Sequence, residues 1–343
     1  MMKKIVISVI LVFCLIFSGC SCNQKSLLSF VNSWDEGLSS AGFTETLSYN
    51  VEYADSYEID DYKYVKSSSL GDKFSCSITG SYTETVTVVN NADVPEGKRT
   101  DVLDAISGNP VLYKLTTSLT LTAKYSYSGN AEETFEDFIK TECYFLNVNN
   151  RLSPVYSFTE NKYAVPVVTD NSVSFMKIHY TAVESYTQKN FTCTLNQFEY
   201  DADATTAEPT KTESKSNDYA IGTVVDNTTL LFAIRHTSVS KGSSVTVPAV
   251  SPSYMTAEDV KVSYDDDTSR TLIGETKAVK RMSFVSSVGG QKQIVFVQNE
   301  KSSVTGDVNR SVITEYVTPV SELSASYMVL GVLVYTLTSA VYS

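Results

Sequence analysis

Acid–base chemistry has few carriers in this chain, because its 343 residues include only two histidines. A hydrolytic site needs a nucleophile, a base and usually a group that orients the base. His179 falls on the polar side of an alternating stretch with Lys177 and Thr181, which reads as a solvated surface histidine rather than a general base. His236 follows Arg235 at the end of an apolar segment, where a capping or rim role is expected. Ser174-Phe175-Met176-Lys177 and Ser238-Val239-Ser240-Lys241 both have the S-x-x-K spacing in which a lysine can activate a serine at the start of a helix. The first lies in a strand-like stretch and neither has a companion K-T-G. A four-residue pattern in a serine-rich chain arises by chance, and no G-x-S-x-G elbow is present. The chain therefore reads as non-enzymatic.

Acidic residues cluster at Asp55, Glu58, Asp60 and Asp61, at Glu132, Glu133, Glu136 and Asp137, and at Asp265, Asp266 and Asp267. Hard cations want several converging oxygens, and paired carboxylates about 5 to 10 Å apart can cleave glycosides. None of the three clusters has the spaced acids and turn glycine of a calcium loop, so each reads as a solvated turn and no metal is expected. No C-x-x-C pair supports zinc or redox chemistry. Cys76, Cys143 and Cys193 fall on the apolar side of predicted strands, as buried free thiols often do. Cys143 to Cys193 is the pair to consider should export close a disulfide.

The first 20 residues carry a different chemistry. Lys3 and Lys4 form a charged start, Ile5 to Phe17 an apolar run, and Ser18 and Gly19 small residues before Cys20. The apolar run, about 13 residues, is short of the roughly 20 that span a bilayer as a helix. Phe17-Ser18-Gly19-Cys20 resembles the lipobox of bacterial lipoproteins, with Phe17 where that family prefers leucine. The resemblance implies that residues 1–19 are a removed signal peptide. It also implies that Cys20 becomes the first mature residue, bearing a diacylglycerol thioether and often an acyl chain such as palmitate on its amine. Several acyl chains anchor a protein stably where one does not. The implied location is the extracytoplasmic side of a bacterial cell membrane, with the covalent lipid as the only cofactor-like group.

Charge bears on partners. The formal charge is −12, and loss of Lys3 and Lys4 with the signal makes the mature chain more negative still. Nucleic-acid binding needs clustered Lys and Arg to displace phosphate counterions, and no such cluster is present. Polybasic segments that grip anionic headgroups are also missing, which leaves membrane attachment to the lipid.

The segments that must position any site are strands. Between Val111 and Tyr127, apolar residues including Tyr113, Leu115, Leu119, Leu121, Ala123, Tyr125 and Tyr127 take odd positions and polar ones the even positions. This is the mark of an antiparallel strand with one wet face. Seventeen residues would span about 58 Å if straight, so long, strongly twisted strands that curl or bend are expected. Phe74 to Val88 alternates likewise, interrupted by Glu84. Ile139 to Phe145, Met176 to Tyr186 and Phe191 to Tyr200 are further strands, and Gly289-Gly290 marks a hairpin. Tyr327 to Tyr342 reads as a buried strand with a bulge at Gly331. Helices are few: one capped by Thr100, one over Thr228 to His236 capped by Asp226, and a helical spacing from Leu27 to Leu38.

The expected fold is mainly β, a curved half-barrel-like sheet or a β-sandwich with one to three short helices. Residues 20–40 form a lipidated tether with helical spacing, and 41–343 a β domain with a flexible Thr/Ser/acidic loop at 201–218. The alternative is two β subdomains, 41–200 and 219–343. Two functions fit. One is a carrier that holds an apolar or amphiphilic ligand in a curved sheet, similar to half-barrel lipid carriers of bacterial envelopes. The other is a structural or adhesive surface module that contacts glycan or protein. The 22 tyrosines suit sugar stacking, although Tyr113, Tyr125 and Tyr127 fall on the predicted buried face. Cys20→Ala tests the anchor: fractionation should move the protein out of the membrane pellet, and retention there contradicts lipidation at Cys20.

Overall fold

The computed structural model describes residues 42–59, 62–65, 74–105, 111–127, 129–148, 151–169, 172–219, 224–235, 237, 239–272, 275–287, 291–298, 311–322 and 328–343. Alternating sequence builds its strands. They are β1 (Thr44–Ala54), β2 (Ser56–Ile59), β3 (Tyr62–Val65), β4 (Phe74–Val89), β5 (Leu112–Tyr127) and β6 (Glu133–Val148). Next come β7 (Arg151–Thr169), β8 (Ser172–Tyr186), β9 (Asn190–Gln197), β10 (Lys211–Asp218) and β11 (Val225–Asp226). The last are β12 (Ser244–Ser251), β13 (Thr256–Leu272), β14 (Glu275–Ser286), β15 (Gln293–Gln298), β16 (Ile313–Glu322) and β17 (Met328–Tyr342). Two short helices, α1 (Val102–Ala105) and α2 (Leu230–Ile234), interrupt them.

Fifteen strands form one sheet in the order β10-β9-β8-β7-β6-β5-β4-β1-β17-β16-β15-β14-β13-β12-β11. The seam is the antiparallel pair of β1 with β17, Glu45 opposite Tyr342 through Ala54 opposite Val332. From it, hairpins run outward both ways, and the two outermost strands, β10 and β11, are consecutive in the chain. Those ends approach each other. Asn217 Nδ2 on β10 donates to the Met255 carbonyl at 3.0 Å, and Cys193 Sγ lies 3.9 Å from the Pro252 carbonyl oxygen. The result is a single curved, barrel-like sheet.

Curvature this strong needs places where backbones crowd. A Cβ on Gly80 would lie 2.0 Å from the Thr120 carbonyl oxygen, so only glycine allows β4 and β5 this approach. At Gly331 the register slips as the sequence suggests: Val320 opposes Gly331 and Ser321 opposes Val329, leaving Leu330 as the extra residue of a bulge. The Tyr53 ring covers Gly331, and its hydroxyl donates to the Leu330 carbonyl at 2.7 Å.

The concave side is filled. Leu230, Phe232, Ala233 and Ile234 of α2 enter the main core beside Leu47, Tyr113, Leu115 and Phe145. The Phe232 ring lies 5.2 Å from Phe145 and 6.4 Å from Tyr113. Asp226 caps the 3-10 turn Asn227–Thr229 that runs directly into α2, its Oδ1 accepting the Thr228 N–H at 2.9 Å. On the other face of the sheet the β2–β3 hairpin lays Ile59 over Ile294, Phe296, Val317 and Val332. With both faces covered, β15 is buried almost throughout and reads in sequence as a continuous apolar run.

Two expectations are corrected. Lys211–Asp218, expected within a flexible loop, is the edge strand β10, whose Ser214 and Ser216 hydroxyls lie 3.1 and 3.2 Å from those of Thr194 and Thr192 on β9. An edge strand wet on both faces needs no apolar side chains, so its composition mimics a linker. His179 is not solvated but 4% exposed. Phe138 and Phe198 cover it, with ring centroids at 6.1 and 5.5 Å, and Glu160 Oε1 stands 3.3 Å from its Nε2.

Candidate functional site

The sheet contains a fork. β6 and β7 pair from Val148 opposite Arg151 only as far as Phe138 opposite Lys162. Beyond that, Glu133–Asp137 stay with β5 while Tyr163–Thr169 stay with β8. Two residues end the ladder. Asp137 Oδ1 takes the Ala164 N–H at 3.1 Å, and Pro166, two residues on along the same edge, has no N–H to give. The edge of β7 is therefore closed to backbone pairing, and the hairpins part.

Aromatic side chains fill the crotch of this fork. Phe135 lies 4.8 Å from Phe175 and 6.1 Å from Tyr125, centroid to centroid, and Tyr125 is 5.2 Å from Phe175 and 5.9 Å from Phe74. The Lys177 ammonium sits 5.4 Å from the Phe135 ring centre and 5.6 Å from that of Tyr200, and Lys162 lies 4.4 Å from Tyr200. These are cation–π distances. Above the rings, Phe74, Tyr125, Tyr127, Glu133, Val173 and Phe175 line about 350 Å³ of empty space, part of it open to solvent, with Asn130 and Ser126 at the rim. Burial raises the Asp137 carboxyl to about 6, against the opposing pull of the Ala164 N–H, the Tyr200 hydroxyl and the Lys162 charge. Tilted, contacting rings with a polar rim suit a ligand with a flat apolar face and a hydrogen-bonding edge.

A second group of polar residues holds α2 in the concavity. The Arg235 guanidinium is buried between Glu45, at 2.6 Å, and Glu84, at 3.1 Å, and its Nε donates to the Ser311 carbonyl at 2.8 Å. Burial raises the Glu84 carboxyl although Arg235 pulls it down. Tyr49, Tyr82, Glu84, Leu231, Tyr316 and Tyr335 border about 220 Å³ of empty space here, whose usable part is room for about one water molecule. Sequence reading missed this triad, yet it left a trace. Glu45 shares the strand parity of Leu47 and Tyr49, and Glu84 that of Tyr82 and Val86, so each charge sits on an apolar face.

The sequence candidates scatter. Cys20, His236, Ser238, Asp60, Asp61 and Gly289-Gly290 lie outside the described residues. Cys76, Cys143 and Cys193 are free thiols. Register explains why Cys143 and Cys193 do not bridge: Cys143 opposes Ser157, Ser157 opposes Glu184 and Glu184 opposes Cys193. Three strand spacings amount to roughly 14 Å, beyond the reach of about 7 Å between α-carbons in a disulfide. Ser174 and Lys177, three apart in β8, point to opposite faces and cannot act together. Lys241 pairs with Asp266 and Asp267 at 2.5 and 3.2 Å, Lys292 lies 3.5 Å from Asp265, and Glu58 pairs with Lys63 at 2.9 Å. Among the described residues no three His, Cys, Asp or Glu side chains are grouped to hold a metal. Tyr113 packs on Phe145 at 5.2 Å, whereas Tyr125 and Tyr127 reach the fork. No helix among the described residues is long and apolar enough to cross a membrane.

No protein-family model and no curated protein matches this chain. Among solved structures, a β-barrel-like protein of a domain of unknown function from Brucella abortus is similar over 88% of this chain and 99% of its own, with a TM-score of 0.42 and 7% identity.

The Asp137 carboxyl makes a pH prediction. Its folded value, about 6, exceeds its ordinary value of about 3.9. The stability linked to its proton is therefore full below pH 4 and lost as pH rises through 6. Urea denaturation of Asp137→Asn between pH 4.5 and 7.5 should show a weaker loss than the natural protein. Parallel curves contradict the assignment.

Proposed function

We propose that this chain is a lipid-anchored, non-enzymatic binding protein on the extracytoplasmic side of a bacterial cell membrane, tethered through Cys20. Its fork takes a compact amphiphile with a flat apolar face, of which a sugar ring is the simplest case. The observation that carries this reading is the contact of Tyr125, Phe135 and Phe175 beneath a cleft of about 350 Å³. Much of that volume is open solvent and the part a water-sized group can enter is about 70 Å³, so the cleft grips one edge of a ligand rather than enclosing it. Ring faces desolvate an apolar surface and stack on it, while Glu133 and Asn130 at the cleft offer an acceptor and an amide to the ligand's edge, and the Lys177 ammonium lies behind them over the Phe135 ring.

The filled concavity narrows the ligand further. A long acyl chain needs an apolar channel, and Leu230, Phe232 and Ile234 occupy the inside of the curve. A glycan on a neighbouring surface and the sugar headgroup of a lipid present the same chemistry. Binding of the full, detergent-solubilised protein to a panel of immobilised glycans and to glycolipid-containing vesicles separates the two sources. Phe175→Ala should weaken whichever binding is seen by about tenfold, from lost stacking and lost apolar contact. Lys177→Met should weaken it less and should shift the urea midpoint by no more than a few tenths molar, whereas Phe175→Ala, which also removes a ring packed on Phe135 and Tyr125, should lower the midpoint while leaving the protein folded. Binding unchanged in both variants, or no binding by the natural protein to either probe, contradicts the proposal.

A further inference from the structure

Inside the curve, at the N-terminal end of the α2 segment, two carboxyl groups face each other without a cation. Glu184 on β8 and Asp226 at the helix cap are 1% and 0% exposed. The Tyr186 hydroxyl stands 3.0 Å from Glu184 Oε2 and 2.9 Å from Asp226 Oδ2. A hydroxyl has one proton, so it can donate to only one of them. For both contacts to be hydrogen bonds, the other carboxyl must itself carry a proton and donate to the tyrosine oxygen. Asp226 is the poor candidate, because its Oδ1 already accepts the Thr228 N–H at 2.9 Å and lies 2.5 Å from the Thr228 hydroxyl. Glu184 has weaker donors: beside Tyr186 only the Cys193 thiol, a poor donor, is directed at it, and its Oε1 is buried without a conventional hydrogen-bond partner.

We infer that Glu184 is a proton-binding site, held as a neutral carboxylic acid, and that loss of its proton releases the α2 segment from the concave face. The groups turned toward Glu184 are Cys143 from β6, Tyr186 from its own strand, Cys193 from β9 and Asp226 from the cap. None of these can be a cation. Burial, then the Asp226 charge, holds the Glu184 carboxyl well above the usual carboxylate range, and burial raises the Tyr186 hydroxyl and the Cys143 thiol as well. All three therefore favour the neutral form. An ionised Glu184 would set two unscreened carboxylates on one hydroxyl, and such a pair shares a site only while one member is protonated.

The consequence follows from what Asp226 holds. It caps the segment whose Phe232 and Ile234 fill the concavity and whose far end is Arg235. Repulsion at the cap pushes this segment away from β8 and uncovers the apolar side chains behind it, Leu115 and Phe145 among them. The interior would then become accessible to an apolar chain. The inference does not rest on the fork, and its failure leaves the fork reading standing.

The linkage has a definite sign. A carboxyl raised in the fold contributes stability that is full below the ordinary Glu range and lost as pH rises through the raised value. Amide hydrogen exchange at Leu230–Ile234, corrected for intrinsic chemistry, should show an opening constant that grows about tenfold per pH unit once Glu184 titrates. In Glu184→Gln, which keeps shape and neutrality, that slope should vanish while binding of an apolar dye at alkaline pH falls to the neutral-pH level. Infrared difference spectra of the natural protein need no variant: a buried protonated carboxyl band should persist at neutral pH and disappear on alkalinisation. Absence of the band at neutral pH overturns the inference. So does an unchanged exchange slope in a folded Glu184→Gln protein.

Discussion

Arg235, buried between Glu45 and Glu84, is the interaction on which the arrangement of this protein turns. Glu45 belongs to β1 and Glu84 to β4, so one guanidinium from the end of the α2 segment is fastened to two neighbouring strands beside the β1–β17 seam. Its third contact, to the Ser311 carbonyl, reaches the approach to β16 across that seam. A buried ion cluster of this kind adds little net stability compared with apolar packing, but removing one member costs about 3–5 kcal/mol because the remaining charges stay buried. It acts through position. The segment can enter the curve only in the register that brings Arg235 to its two acids.

A sheet wrapped around such a segment has little interior left for a ligand, and this shifts attention to where the sheet fails to pair. Fifteen strands could in principle have continued their ladders to the tips of every hairpin. Between β6 and β7 they do not, because Asp137 occupies one N–H of the β7 edge and Pro166 lacks the next. The same two residues keep that edge from recruiting another strand. What opens is a gap lined by side chains rather than by backbone, with the Tyr125 and Phe175 rings, packed on Phe135, at its base and polar groups such as Glu133 and Asn130 around them. The plugged concavity and the fork thus share one core: Phe74, Tyr125 and Phe135 are buried in it, and the half-buried Tyr127, Val173 and Phe175 carry it to the edge of the cleft.

Much of the sheet was legible because alternation is a local signal. The odd residues of β5 and the bulge beside Gly331 followed from the two-residue period and from glycine in an apolar run. So did the Asp226 cap, where an acid immediately precedes a helical spacing. What escaped depends on contacts between distant segments. His179 has polar neighbours in sequence but lies beneath Phe138 and Phe198, and β10 has the composition of a linker because an edge strand can be wet on both faces. Cys143 and Cys193 share an apolar parity, yet register sets three strand spacings between them. The fork itself has a faint trace, an acid and a proline near the middle of neighbouring strands. The interruptions of the apolar pattern at Glu45, Glu84 and Glu184 were the more informative marks: the first two hold the buried Arg235, and the third is a buried carboxyl beside the Tyr186 hydroxyl.

The central claim is that ligand meets this protein at the fork while the α2 segment stays seated. Hydrogen-exchange mass spectrometry at neutral pH, with and without the glycan or glycolipid that the solubilised protein retains, tests it directly. Added protection should fall on peptides covering Tyr125–Glu133 and Ser172–Lys177, with Leu230–Ile234 unchanged. Protection confined to Leu230–Ile234 and the strands behind it would contradict the account.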